Sequence, residues 1–239
     1  MFKRITSLFG IIALATVIGF LTVTCDDGGG DKGGPTSFGD TLKLSGQVYL
    51  EKYIEYSITY QKFDGNLTLD AYYGGSGEVK NGKLSYTIGI PTDLETLDVK
   101  QDLFGYNYDD VNASKQNVKG VVFDGFDLNH PYDSLYKSNA TGSGNSKGFS
   151  QTSESVYYVY VDNDVTISGK GKTSNYTGHG VSYSETTKDF SLALKTGWNA
   201  IYTKSTISAN SSVQTYTDAI SLGNPSLKWV LREDHEEED

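Results

Sequence analysis

The chain has 239 residues and a formal charge of −10 at pH 7, from 20 Lys and Arg against 30 Asp and Glu. That balance excludes general nucleic-acid binding, which needs a basic face to displace counterions, and a 37% hydrophobic share excludes a disordered chain. The single Cys excludes an internal disulfide and a cysteine-based zinc site.

Lys3 and Arg4 precede an uncharged, mostly apolar run, Leu8–Val23. The run is long enough for the core of an export signal but short for a membrane span, which takes about 20 apolar residues. It ends at Leu21-Thr22-Val23-Thr24-Cys25, with Asp26-Asp27 and a Gly run behind it. A lone Cys at such a junction is placed for acylation at a bilayer surface. Each buried CH₂ contributes about 0.8 kcal/mol there, and two or more chains make the anchoring stable. A membrane stop normally carries flanking Lys or Arg, so the acids after Cys25 favour lipidation over an uncleaved anchor. Residues 1–24 therefore read as a lipoprotein signal peptide and Cys25 as the lipidation site. Cleavage removes two cations and no acid, which takes the charge from −10 to −12. Lipid, rather than charge, then holds the body to an anionic membrane. Residues 25–40 form the lipidated Cys and a Gly/Asp-rich tether, with a reach of roughly 20–23 Å.

From Leu42 onward the pattern is β. Ile54, Tyr56, Ile58 and Tyr60 alternate with polar residues, as a half-buried strand requires. Leu67, Leu69, Ala71 and Tyr73 do the same after Asp64-Gly65, which predicts a hairpin. Asn81-Gly82, between Glu78–Lys80 and Lys83–Ile88, predicts a second hairpin through a type I′ turn, where Gly82 takes positive φ freely. Residues 91–117 are irregular, with one helical turn or a short edge segment near Asp93–Leu103, and Val118–Leu128 is again strand-like. Ser138–Gln151 reads as a Gly/Ser/Asn loop. Val156–Val161 and Val165–Ser168 flank Asp162-Asn163-Asp164 as a hairpin. Phe190–Leu194 and Trp198–Tyr202 flank Thr196-Gly197 as another, and Leu227–Leu231 closes the domain. The expectation is an all-β antiparallel β-sandwich of about ten short strands over residues 41–232, with a barrel as the alternative. One domain or two subdomains (41–100 and 118–232) fit, and 233–239 is an acidic tail.

The loose lipobox with its acidic-Gly follow-on, Gly77–Tyr86 and Phe190–Tyr202 together resemble a group of spirochaete-type bacterial lipoproteins of unassigned function. The resemblance implies an exported lipoprotein at the cell envelope, on the outer membrane or cell surface. It brings no catalytic residues with it.

No catalytic motif stands out. Gly-x-Ser-x-Gly is absent, and His130 and His179 are the only His outside the tail. Gly169-Lys170-Gly171-Lys172-Thr173 lacks the earlier Gly of a phosphate loop and sits between strands. The five Asn-x-Ser/Thr triplets at Asn66, Asn112, Asn139, Asn175 and Asn210 follow from composition in a chain with a bacterial export signal.

Two clusters are candidate sites. Asp124, Asp127, Asn129 and Asp133 offer hard oxygen ligands for Ca²⁺ within ten residues, although such clusters are commonly turn-formers. Tyr106, Tyr108, Tyr132 and Tyr136, with Asp109 and Asp110, can stack on sugar rings while the acids accept hydroxyl hydrogen bonds. The reading that results is a non-catalytic, lipid-anchored protein binding glycan or protein, with no nucleic-acid partner. A glycan hydrolase using paired carboxylates and a purely structural envelope component are the alternatives.

Overall fold

A computed structural model describes residues 35–54, 57–98, 103, 109–129, 131–145, 147–178 and 181–233. The signal, Cys25 and most of the tether lie outside the described residues. The early strands are β1 (Ser37–Gly39), β2 (Leu42–Ile54), β3 (Ser57–Lys62), β4 (Leu67–Thr68), β5 (Ser76–Lys80) and β6 (Lys83–Ile88). After them come β7 (Glu95–Thr96), β8 (Asp109–Ala113), β9 (Lys119–Phe123), β10 (Gly125–Asp127), β11 (Tyr132–Asn145) and β12 (Gly148–Val161). The remainder are β13 (Val165–Lys170), β14 (Thr173–Gly178), β15 (Val181–Thr187), β16 (Phe190–Leu194), β17 (Gly197–Asn210), β18 (Val213–Leu222) and β19 (Lys228–Glu233). A short 3₁₀ turn lies at Tyr72–Gly74, and no helix among the described residues is long and apolar enough to cross a membrane.

The expected all-β class holds, and the sheets do not close into a barrel. The main sheet runs β14-β15-β18-β17-β12-β11-β19-β2-β6-β5-β4, and a separate sheet runs β16-β13-β8. Two pairs, β15 with β18 and β19 with β2, are parallel, so the architecture is not wholly antiparallel.

The run from Val156 to Val161 is apolar without a break, the mark of a strand covered on both faces. Val156, Tyr158 and Tyr160 of β12, with Trp198 and Ala200 of β17, enter one core with Leu44, Val79, Leu84 and Tyr86. Val159, Val161 and Ile201 enter a second core with Val165, Ile167, Phe190 and Leu192. At this end β12 and β17 are therefore the middle of a three-layer stack. Residues 42–88 and 121–231 share the first core, so both proposed subdomains contribute to it.

Farther along the same strands the cores end and the sheet continues. β12 and β17 pair over their whole length, from Val161↔Gly197 to Gly148↔Asn210. Along the first-core face the outer half carries one threonine per strand, in register: Thr141, Thr152, Thr206, Thr217, Thr186 and Thr173. Cross-strand pairs of this kind contribute roughly 0.2–1 kcal/mol each, which supports a sheet that no core covers.

Five local readings are corrected. The Ser138–Gln151 stretch is not a loop but the tip of the β11–β12 hairpin, with Asn145 opposite Gly148. The alternation over 54–60 spans the end of β2 and the start of β3, which pair Ile54↔Ser57. After Asp64-Gly65, β4 is only two residues long and pairs with β5, not with β3, and Tyr73 takes φ +49.

Asp162–Asp164 and Thr196-Gly197 are corners rather than hairpins, because β13 and β16 pair with each other in the smaller sheet. The two corners lie side by side. Asp164 accepts from the Thr196 amide at 2.8 Å and hydroxyl at 3.1 Å, and from Lys195 Nζ at 3.0 Å. At the far end of the same strand pair, Asp189 accepts from the Gly171 amide at 2.8 Å and Lys170 Nζ at 3.4 Å. The Gly-Lys-Gly-Lys-Thr segment is thus a second pinned corner. The Asn81-Gly82 hairpin stands as expected, with φ +49 and +71. A Cβ on Gly82 would sit 1.8 Å from the Phe63 carbonyl oxygen.

Two outcomes follow. Gly82→Ala should lower stability by at least about 1–2 kcal/mol from backbone conformation alone, measured by urea denaturation; an unchanged midpoint would refute the turn geometry. The Thr196 amide, Lys195 and the Thr196 hydroxyl, in that order, hold the Asp164 carboxyl at about 2, below its ordinary 3.8. Its stabilisation is present above about 3.8 and is lost as pH falls through about 2. Asp164→Asn should therefore show a flatter fall of Tm across that window than the parent protein.

Candidate functional site

Strands β11 and β12 pair from the hairpin tip down to Lys137↔Val156 and then separate. Into the opening run β9, which takes over the β12 edge from Phe123↔Tyr158, and β10, which pairs with β11 from Gly125↔Tyr136. Asp124 is the single residue between β9 and β10, so it stands where the ladder forks. The chain bends there because one residue must serve the ends of two ladders that point apart. Phe126, 1% exposed, fastens the wedge from below by packing edge-on to Tyr86 and Phe123 at centroid distances of 4.8 and 5.0 Å.

Above the fork, on the second-core face, lies a pocket of about 290 Å³, close to the lower end of the usual ligand range of about 300–1,000 Å³. Its side chains are Asp124, Asp127, Tyr136, Tyr157, Ser155 and Arg232, with Ser134 at the rim. Tyr136 and Tyr157 supply half-buried rings. The Arg232 guanidinium donates to Tyr136 Oη at 3.0 Å and lies 5.2 Å from the ring centroid. Tyr157 Oη donates to the Leu103 carbonyl at 3.1 Å. Tyr72 Oη donates to Asp127 Oδ2 at 3.1 Å and accepts from the Asp127 amide at 3.0 Å, which fixes that end of the wedge.

Burial, and then the Glu51 carboxylate, push the Tyr136 phenol up, against the opposing pull of Arg232. Tyr60 is pushed up further, chiefly by burial and then by Glu51, to which it donates at 3.3 Å. The Tyr60 hydroxyl also closes the open β11 edge, accepting from the Ala140 amide and sharing its one proton between Glu51 and the Ala140 carbonyl, 3.2 Å away. Behind Tyr136 lies a network of hydroxyls and charges formed by Arg232, Tyr136, Glu51 and Tyr60.

Of the residues proposed for ligand contact, Tyr136 lines this pocket, and of those proposed for Ca²⁺, Asp124 and Asp127 line it. Tyr132 packs edge-on to Phe63 at 5.9 Å. Asp110 is exposed at φ +49, and its carbonyl accepts from Asn112 Nδ2 at 2.6 Å. The backbone of Asn129 accepts from the Tyr132 amide at 3.3 Å, and Asp133 Oδ2 accepts from Ser134 Oγ at 3.4 Å. Tyr106, Tyr108 and the Asp109 side chain lie outside the described residues, as do His130 and His179. Among the described residues no group of three or more His, Cys, Asp or Glu is gathered to hold a metal ion.

Ser155, Ser134 and Arg232 were missed. Tyr157 sits in an apolar run that reads as buried core, and Arg232 reaches the site only through the pairing of β19 with β11, Arg232↔Ser134. No family model, no curated protein and no solved structure matches the chain.

The raised phenols give a checkable sign. A tyrosine whose folded pKa lies above 10 contributes stability that is complete below about 10 and lost as pH rises through the elevated value. Glu51→Gln removes a charge that raises both Tyr60 and Tyr136. Its alkaline tyrosinate titration should finish at lower pH than that of the parent protein, and coincident curves would contradict the network.

Proposed function

We propose that the chain is an exported bacterial lipoprotein, acylated at Cys25, whose β body binds glycan at the cell envelope without chemically altering it. The reading is supported most by the fork pocket. A sugar ring presents an apolar face and a rim of hydroxyls. Tyr136 and Tyr157 offer ring surface for the first, and Asp124, Asp127, Ser155 and Arg232 offer acceptors and donors for the second. The position of the pocket at a break in a rigid sheet also suits binding, since the ladder on either side fixes its walls.

The export half of the reading rests on residues 1–25 and on the charge asymmetry across Cys25. An anchor and a Gly-rich tether give a binding body reach from a bilayer and keep an acidic surface off anionic headgroups.

Two measurements test these halves separately. Metabolic labelling with palmitate should mark the parent chain and not Cys25→Ala; equal labelling of both would end the lipoprotein reading. On a glycan array, the detergent-solubilised protein should bind at least one saccharide, and Tyr136→Phe combined with Asp124→Asn should weaken that binding about tenfold or more. Such a change corresponds to one or two lost charge-assisted hydrogen bonds. No bound glycan at all would remove the binding reading.

A further inference from the structure

A second cavity, of about 200 Å³, lies on the outer part of the sheet, between β14, β15 and β18. Its side chains are Lys172, Ser174, Glu185, Thr187, Tyr216 and Asp218. Beside it the rings of Tyr176 and Tyr183 stack at 4.8 Å and 7°, and Tyr176, 50% exposed, donates to Glu185 Oε1 at 3.4 Å. The composition repeats that of the fork pocket. Each cavity holds two carboxylates, at least one cation, at least one tyrosine ring and small hydroxyls.

The register places both cavities on the same face of the same sheet. Ser138, Ser155, Thr203 and Ile220 form one row across β11, β12, β17 and β18. The next row outward is Ala140, Ser153, Ser205 and Asp218, continuing to Thr187 of β15. Side chains alternate along a strand, so Tyr136, two residues from Ser138, shares this face with Tyr216, two residues from Asp218. From the fork pocket, which Ser155 lines, to the outer cleft, which Asp218 lines, the intervening side chains are Ser153, Thr203 and Ser205. All three are half-buried and hydroxyl-bearing. Three strand spacings across and about six residues along put Tyr136 and Tyr216 about 25 Å apart.

We infer that the two cavities are the ends of one groove for a linear, neutral polysaccharide, whose chain runs over the hydroxyl track between them. The inference rests on the glycan reading of the fork pocket and adds the ligand class and the second site. Two sites of one chemical recipe, joined by uncharged hydrogen-bonding side chains, suit a polymer that presents the same unit at intervals. The charge argues for neutrality. The outer cleft carries two acids to one base and the fork pocket no net positive charge, on a chain of formal charge −10, so a polyanion would be repelled. Holding one chain at two sites makes the second contact intramolecular, which raises affinity without any change in either site.

The test is a length series of cello-, chito- and xylo-oligosaccharides, from monosaccharide upward, titrated calorimetrically into the detergent-solubilised full chain. For at least one series, affinity should climb steeply, by a hundredfold or so, once the oligomer spans both cavities. Glu185→Gln combined with Asp218→Asn should reduce short-oligomer binding to the one site at the fork and abolish the climb. Ser205→Tyr, which blocks the track and leaves both ends intact, should leave short-oligomer binding unchanged and abolish the climb. Circular dichroism and Tm identify any variant that fails to fold. Should the outer-cleft variant and the blocked variant both remain folded and keep the full length dependence, the groove is overturned and these residues serve the sheet alone. Short-oligomer binding without any climb in the parent protein overturns the groove and leaves the fork pocket standing. Absence of binding at every length overturns both.

Discussion

The ladder between β12 and β17 is the constraint on which the rest of the molecule depends. It runs unbroken over the full length of two long strands, but its surroundings change half-way. At one end both faces are covered and the sequence is apolar on successive residues. At the other neither face has a core, and the sequence is mostly Ser and Thr, with Gln151, Glu154 and Lys204 among them. The stiffness of the outer sheet is therefore borrowed. A free single-layer sheet with hydrated faces is marginal, but one whose strands are clamped between two cores at their roots has its register set before the outer residues pair.

The same arrangement explains where the cavities lie. The smaller sheet covers only part of the second-core face, and its corners are fastened at both ends by carboxylates, Asp164 at one and Asp189 at the other. Each corner brings a backbone amide to an aspartate that is itself exposed, so the fastening directs the chain more than it strengthens the fold. The fork and the outer cleft both open on this face.

Much of the fold was legible, and its failures share one cause. The alternation of Leu84, Tyr86 and Ile88 and the Asn81-Gly82 pair are local signals, and they correspond to the observed strand and turn. The expected loop at 138–151 is strand because a strand with water on both sides needs no hydrophobic period, and Ser/Gly/Asn content then reads as loop. The expected hairpins at 162–164 and 196–197 are corners because a short polar turn says that the chain reverses or bends, not which sheet the next strand joins. At the site, Asp124, Asp127 and Tyr136 were singled out from composition alone. Their neighbours Tyr157 and Arg232 come from strands far off in sequence, and only the long-range pairings place them there.

The parallel pairing of β19 with β2 joins the two extremes of the described chain, Trp229 beside Val48. Trp229 is 3% exposed, its indole nitrogen donates to the Ser45 carbonyl at 3.1 Å, and its ring lies against Gly46, where β2 changes partners. The first long strand of the core thus lacks one of its ladder partners until the last has been synthesised. Contacts this distant in sequence make for slow assembly, since loop-closure entropy precedes any gain from burial. A nascent chain stalled short of Trp229 lacks its closing strand, and a ribosome-bound truncation series would find protease resistance arriving abruptly at the carboxyl end rather than growing by stages.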